Sequence, residues 1–146
     1  MEFLYWLGQQ FSAEGAVGYQ LWYASLAKPF FAPPSWVFGF AWSIIYPFIA
    51  LALTWALYVW FTKKVSVGFV ALFAVNLLLN LTFSATLLAS ENNVFISLHI
   101  IAILVTLLIL ETLAWVRSKI LFWLLFPYLL WSAFATVLQV TITVLN

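Results

Sequence analysis

The 146 residues contain no cysteine and no aspartate, only four glutamates (Glu2, Glu14, Glu91 and Glu111), and a single histidine, His99. Without cysteine there is no disulfide, no thiolate nucleophile and no cysteine-based metal site. With one histidine and no aspartate, neither a Ser-His-Asp triad nor a two-histidine metal site can be assembled within one chain. Five Lys or Arg against four acids leave a formal net charge of +1, and the basic residues stand singly or in pairs, so nucleic acid is excluded as a partner. Charged residues make up 6% of the chain and hydrophobic ones 67%, with a mean hydropathy of +1.15. A chain of this size and composition cannot enclose its apolar surface in one soluble core, and is expected to sit in a membrane.

Residues 1–21 are apolar in places, but Glu2, Gln9, Gln10 and Glu14 interrupt them and Gly8, Gly15 and Gly18 weaken any helix. A span needs roughly 20 largely apolar residues. The segment is read as interfacial, with Phe3, Leu4, Trp6 and Leu7 turned to lipid or a partner. Next comes an aromatic and proline-rich connector, 22–35. Here Pro29, Pro33 and Pro34 remove backbone donors and favour extended conformations, and Ser35 is the expected cap of the following helix. Four spans are predicted at 36–62, 65–90, 93–116 and 120–145, joined by loops short enough to make consecutive helices antiparallel neighbours. Lys63, Lys64, Arg117 and Lys119 fall in the first and third connections, against Lys28 alone on the other side. The positive-inside rule therefore puts those two connections in the cytoplasm, and both termini and the connector outside. A bacterial inner membrane is the simplest setting.

Several intramembrane residues are singled out by chemistry. Asn76 and Asn80, one turn apart, must find partners in hydrocarbon, and interhelical bonding is the ordinary reading of both. His99 and Glu111 are about 18 Å apart along one helix at about 1.5 Å per residue, too far to pair. His99 is expected to be hydrogen-bonded within the bundle, and Glu111 to snorkel or pair with Arg117 or Lys119. Gly39 and Ser43 allow a helix to approach closely, as do Ser132 and Thr136, and Pro127 is expected to kink the last span. In that span Tyr128, Trp131, Ala135 and Leu138 share one stripe, where large rings beside a small residue leave a hollow. Of the nine tryptophans, Trp6, Trp60 and Trp123 are read as interfacial belt residues and Trp55 as packing or lipid-facing.

The run WYASLAKPFFAPPSWVFGFAWSIIY, from Trp22 to Tyr46, matches the pattern WYxxLxKPxxxPPxWxFxxxWxxxY. Asn80, the LAW of Leu113 to Trp115 and the PYLLWSAFATVL of Pro127 to Leu138 continue the correspondence. By these residues the chain resembles the translocator protein family, also called tryptophan-rich sensory proteins or TspO, over roughly 18–146. The resemblance implies an all-α integral membrane protein: a compact antiparallel bundle of four transmembrane helices, the five-helix family fold without a clear first helix. It further implies a lid over an aromatic cavity that takes a flat apolar ligand such as a tetrapyrrole. Trp22, Tyr23, Lys28, Trp42, Tyr46, Asn80, Phe83, Trp115, Tyr128, Trp131, Ala135 and Leu138 are the candidate ligand-binding residues. Lys28 and lid donors would meet the carboxylates, and Trp42 or Trp131 would stack on the ring. Phe83 stands where the family commonly has tryptophan, and Gln139 where it commonly has asparagine.

No catalytic residue and no metal ligand set is assigned. No cofactor is required, with porphyrin or haem as the bound molecule the resemblance suggests. The expected partners are lipid, the tetrapyrrole and a second copy of the chain or another membrane subunit. Two alternatives accompany the sensor or carrier reading: a structural packing subunit, and light-dependent breakdown of bound porphyrin as associated with some family members.

Overall fold

The computed structural model describes residues 21–146, so the reading of 1–21 as an interfacial segment lies, but for its last residue, outside the described residues. Four long helices carry the fold: α1 (Ser35–Phe61), α2 (Val67–Ala89), α3 (Asn93–Arg117) and α4 (Lys119–Leu145). Each is long and apolar enough to cross a membrane, and no strand occurs among the described residues. The all-α bundle of four apolar helices expected from the spans and the resemblance is the architecture observed.

Local chemistry accounts for the boundaries. Three helices begin at a polar cap whose side chain accepts a backbone N–H: Ser66 from Phe69 at 3.3 Å, Asn92 from Phe95 at 3.1 Å, and Ser118 from Leu121 at 3.4 Å. Ser35 does not play this part. Pro34, with φ −58° and ψ 149°, holds the cap position, and its carbonyl accepts from Val37. Proline already has the extended geometry a cap needs, so Ser35 becomes the first helical residue. The connector is also shorter than expected, because 21–25 are helical and the irregular stretch runs over 26–34. At the other end of α1, Lys64 N–H bonds to the Val59 carbonyl (2.8 Å) and Lys63 N–H to Trp60 (2.9 Å), with Lys63 at φ 59°. This is a left-handed helix termination in which lysine occupies the place usually taken by glycine. α1 runs on through Pro47 and α4 through Pro127.

The helices form a ring in chain order. α3 packs most extensively on α4, α2 on α3 and α1 on α4, while α1 and α2 touch least. One stripe of each helix turns inward: Ile45, Ile49, Ala52, Ala56 and Val59 from α1, Phe69 and Phe73 from α2, Ile103, Leu107, Leu110 and Ala114 from α3, and Leu121, Leu125 and Tyr128 from α4. These residues fill the end of the bundle that carries Lys63, Lys64 and Arg117. Large apolar side chains such as Leu51, Leu78, Val105 and Val137 are exposed on the perimeter, and polar Asn76, Asn80, Ser97, Ser132 and Thr136 are buried. That inversion of the soluble pattern is what a hydrocarbon solvent demands.

Asn76 is the hub of the core. Its amide donates to the Ile103 carbonyl (3.0 Å) and to Thr106 Oγ1 (2.7 Å), and accepts from the Tyr128 hydroxyl (3.1 Å). One side chain thus ties α2 to α3 and α4. His99 completes a second tie, with Nε2 donating to the Leu79 carbonyl (2.9 Å) and Nδ1 paired with Thr86 Oγ1 (2.9 Å). A carbonyl can only accept, which fixes the proton on Nε2. Glu111 departs from expectation: it is 3% exposed, and neither carboxyl oxygen has a hydrogen-bond partner. Arg117 is six residues further on, about 240° around the helix at roughly 100° per residue, and so faces away from it.

Candidate functional site

The half of the bundle beneath the connector is hollow. α1 contributes Phe38, Trp42 and Tyr46, on successive turns of one face. α4 contributes Trp131, Ser132, Ala135, Leu138, Gln139 and Ile142, α2 contributes Asn80, Phe83, Ser84, Leu87 and Leu88, and α3 contributes Ile100 and Ile103. Tyr23, Ala24, Lys28 and Ser35 border the outer end. Together they line a partly open cavity of about 870 Å³, toward the upper end of the roughly 300–1,000 Å³ typical of small-molecule sites.

Rings make up much of the wall, and they are held in place. Trp42 stacks on Tyr46 with centroids 5.1 Å apart and also lies 6.2 Å from Tyr128. Phe38 meets Trp131 edge-on at 5.7 Å, which joins α1 to α4 across the hollow. Phe83 stands edge-on to His99 at 5.4 Å, so the histidine buttresses the wall from behind. Both His99 nitrogens are engaged, which leaves neither for an axial metal bond. The Tyr46 hydroxyl donates to Asn80 Oδ1 at 3.3 Å and links α1 to α2 where these helices otherwise touch little.

Polar groups at the cavity differ in what they have left to offer. Lys28 Nζ is turned onto the connector's own carbonyls, those of Tyr23 (2.7 Å), Leu26 (3.1 Å) and Ala24 (3.5 Å), and lies 4.8 Å from the Tyr23 ring centroid. It caps the end of the 21–25 helix. In this structure the Lys28 donors are met by the connector's own backbone. Gln139 Nε2, by contrast, is buried without a partner. The connector is pinned over the cavity by Asn146, whose side chain accepts from the Ala27 N–H (2.9 Å) and donates to the Ala27 carbonyl (3.0 Å) and to that of Ile142 (2.8 Å).

Of the twelve residues singled out from the sequence, Tyr23, Lys28, Trp42, Tyr46, Asn80, Phe83, Trp131, Ala135 and Leu138 line this cavity. Trp22, Trp115 and Tyr128 do not. Trp115 lies near the end of α3 away from the lid, half-exposed, with Lys119 Nζ 2.9 Å from its ring centroid and Phe122 edge-on at 4.9 Å. Tyr128 is fully buried one layer below, bonded to Asn76. The Trp22 carbonyl accepts from Ser25 Oγ at 2.6 Å. Sequence reasoning passed over Phe38, Ser132 and Gln139 as wall residues. Ser132, expected to pack closely with Thr136, stands four residues before Thr136 and seven before Gln139, so all three lie near one face. Trp55, expected only to pack or meet lipid, donates its ring N–H to Ser118 Oγ at 3.1 Å.

Comparison with known proteins follows the same residues. The profile of the TspO/MBR family matches residues 3–145. The chain belongs to the TspO/MBR family. The match begins further toward the N-terminus than the motifs reach on their own. Among relatives of this TspO/MBR chain, the tryptophan-rich protein TspO of Chlorobaculum tepidum is 38% identical over 141 residues, covering 95% of this chain and 86% of the relative. That of Bacillus cereus is 34% identical over 125 residues, covering 86% and 80%. The translocator protein of Homo sapiens is 32% identical over 127 residues, covering 81% and 70%. Among the described residues of this TspO/MBR member, no cluster of three or more His, Asp or Glu is placed to hold a metal ion.

Proposed function

We propose that this TspO/MBR chain is a membrane sensor or carrier that binds a flat, mostly apolar ligand of the porphyrin class in the cavity beneath the lid. The observation that carries the reading is the convergence of Phe38, Trp42, Tyr46 and Trp131 on one hollow of about 870 Å³. Such a wall offers broad aromatic faces and few charges, which suits a planar π-system. The relatives named TspO and translocator protein support a sensing or carrying role. Lys63, Lys64, Arg117 and Lys119 gather at the end opposite the lid, so the lid and Asn146 face outside a bacterial inner membrane in this reading. It also includes self-association through the outer face of α1, where a Cβ at Gly39 would meet no atom within 4 Å.

Titration of detergent-purified protein with protoporphyrin in the dark, followed by quenching of tryptophan emission, tests the binding. Saturable quenching is expected, weakened about tenfold or more by Trp131→Ala through loss of ring contact. Linear, non-saturating quenching that is the same in both proteins would overturn the proposal.

A further inference from the structure

We propose that Lys119 and the rings beside it form a site for one anionic glycerophospholipid, its phosphate at the ammonium and an acyl chain along the outer face of α4. The site lies at the end of the bundle opposite the lid and does not depend on the cavity reading. Lys119, Phe122, Trp123 and Phe126 follow one another at offsets of three, four and seven, which makes them one stripe of the helix. Their rings are in continuous contact: Phe122 meets Trp123 at 5.2 Å and Phe126 at 5.6 Å, and Trp123 meets Phe126 at 5.5 Å. Trp115 of α3 joins them edge-on to Phe122 at 4.9 Å and carries Lys119 Nζ 2.9 Å from its ring centroid. Both tryptophans are at least half-exposed, and the two phenylalanines are partly so. The ammonium therefore stands at the head of a run of rings that faces outward.

Charge complementarity gives the headgroup its sign. The Lys119 ammonium rests on the indole face and makes no ion pair or hydrogen bond among the described residues. Arg117, two residues earlier, is exposed and likewise unpaired. Of the glutamates among the described residues, Glu91 belongs to the lid end, and Glu111 is buried with neither oxygen bonded. The acid nearest in sequence is thus withdrawn, and the cation is left for an anion from outside. The ring N–H groups of Trp115 and Trp123 also make no hydrogen bond among the described residues, which leaves two donors for lipid ester carbonyls. An anionic phosphodiester gains the full attraction of Lys119, whereas a zwitterionic headgroup brings a cation of its own and gains less.

The test uses the full chain in phosphatidylcholine vesicles that contain a minor fraction of lipid brominated on its acyl chains, either phosphatidylglycerol or phosphatidylcholine, with quenching of tryptophan emission as the readout. Wild type is expected to prefer the brominated phosphatidylglycerol about fivefold, the effect of one lysine near an anionic headgroup. Lys119→Gln should abolish the preference and Lys119→Arg should keep it. Lys119 stands at the positive end of the α4 dipole, so its removal does not weaken the helix, and thermal unfolding of each variant checks that it is folded. Lys63→Gln removes one charge from the other connection at this end and should leave the preference in place. Equal quenching by the two lipids in wild type would mean that the rings are only an interfacial belt, and would overturn the proposal. Equal losses in Lys119→Gln and Lys63→Gln would overturn it too, by showing a diffuse attraction without a site. Relief of the quenching by inorganic phosphate, at ionic strength held constant with chloride, would show a site for a free anion and not for a lipid.

Discussion

At the scale of single residues, burial in hydrocarbon makes every polar atom consequential. Asn76 satisfies two donors and one acceptor across three helices. Asn76→Ala removes both donor bonds and leaves the buried Tyr128 hydroxyl without an acceptor, so a loss of about 1–3 kcal/mol is expected. Tyr128→Phe removes one bond only, and should cost about 0.5–1.5 kcal/mol. Thermal unfolding of the two variants in one detergent checks the order. Glu111 is the opposite case, since both its oxygens are buried without a partner. Glu111→Leu replaces an unsatisfied carboxyl by an apolar group of similar length, and the bundle should become more stable by about 1–3 kcal/mol. Unchanged or lower stability would mean that the carboxyl is supported in some other way.

Sequence reasoning fared unevenly at this scale, for physical reasons. Trp131 and Asn80 were legible because their motif positions and helical facing point the same way, and both reach the cavity. Trp115 matched a motif equally well, but a motif fixes neither depth along a helix nor which end faces the lid, and this ring lies beside Lys119 instead. Ser132 and Gln139 were harder still. A small or polar residue on an inward stripe has the same pattern whether it packs against a neighbour or borders a hollow, and only the tertiary arrangement distinguishes the two. Lys28 borders the cavity as its motif position suggests, but its flexible stem turns back onto nearby carbonyls, which spacing in the chain does not reveal.

At the scale of elements, the connector is held by few and nameable bonds. Lys28 caps the short helix before it, Ala32 N–H bonds to the Pro29 carbonyl at 3.0 Å, and Asn146 clamps Ala27 on both sides of its backbone. Phe30 at its crest is wholly exposed. The attachment therefore lies at its ends rather than in a packed core, and a loop so anchored opens at low free-energy cost. Asn146→Ala should raise hydrogen exchange at the Ala27 amide several-fold and speed release of a bound porphyrin, with little change in the melting temperature. Unaltered exchange at Ala27 would show that the clamp does not control the lid. Helix extents were largely legible, because long apolar runs are punctuated by Ser66, Asn92 and Ser118 as caps. The exception was α1, where Pro34 took the position assigned to Ser35.

At the scale of the whole molecule, the bundle divides its labour along the membrane normal. The end carrying Lys63, Lys64 and Arg117 is filled by aliphatic side chains, with Phe69 and Phe73, and hydrogen-bonded through Asn76 just above. The lid end is walled by rings and left hollow. One half holds the helices together, and in the proposed reading the other accepts the guest. This separation implies that the cavity can be blocked while the fold is kept. Ala135, half-buried on the cavity wall of α4, is the place to do so. The most direct test is a dark absorbance titration with protoporphyrin of wild type and Ala135→Trp, with thermal unfolding of both measured alongside. The account predicts saturable binding to wild type and none to the blocked variant, at closely similar melting temperatures. Undiminished binding to a folded Ala135→Trp protein would contradict it, and would place any tetrapyrrole site elsewhere on the bundle.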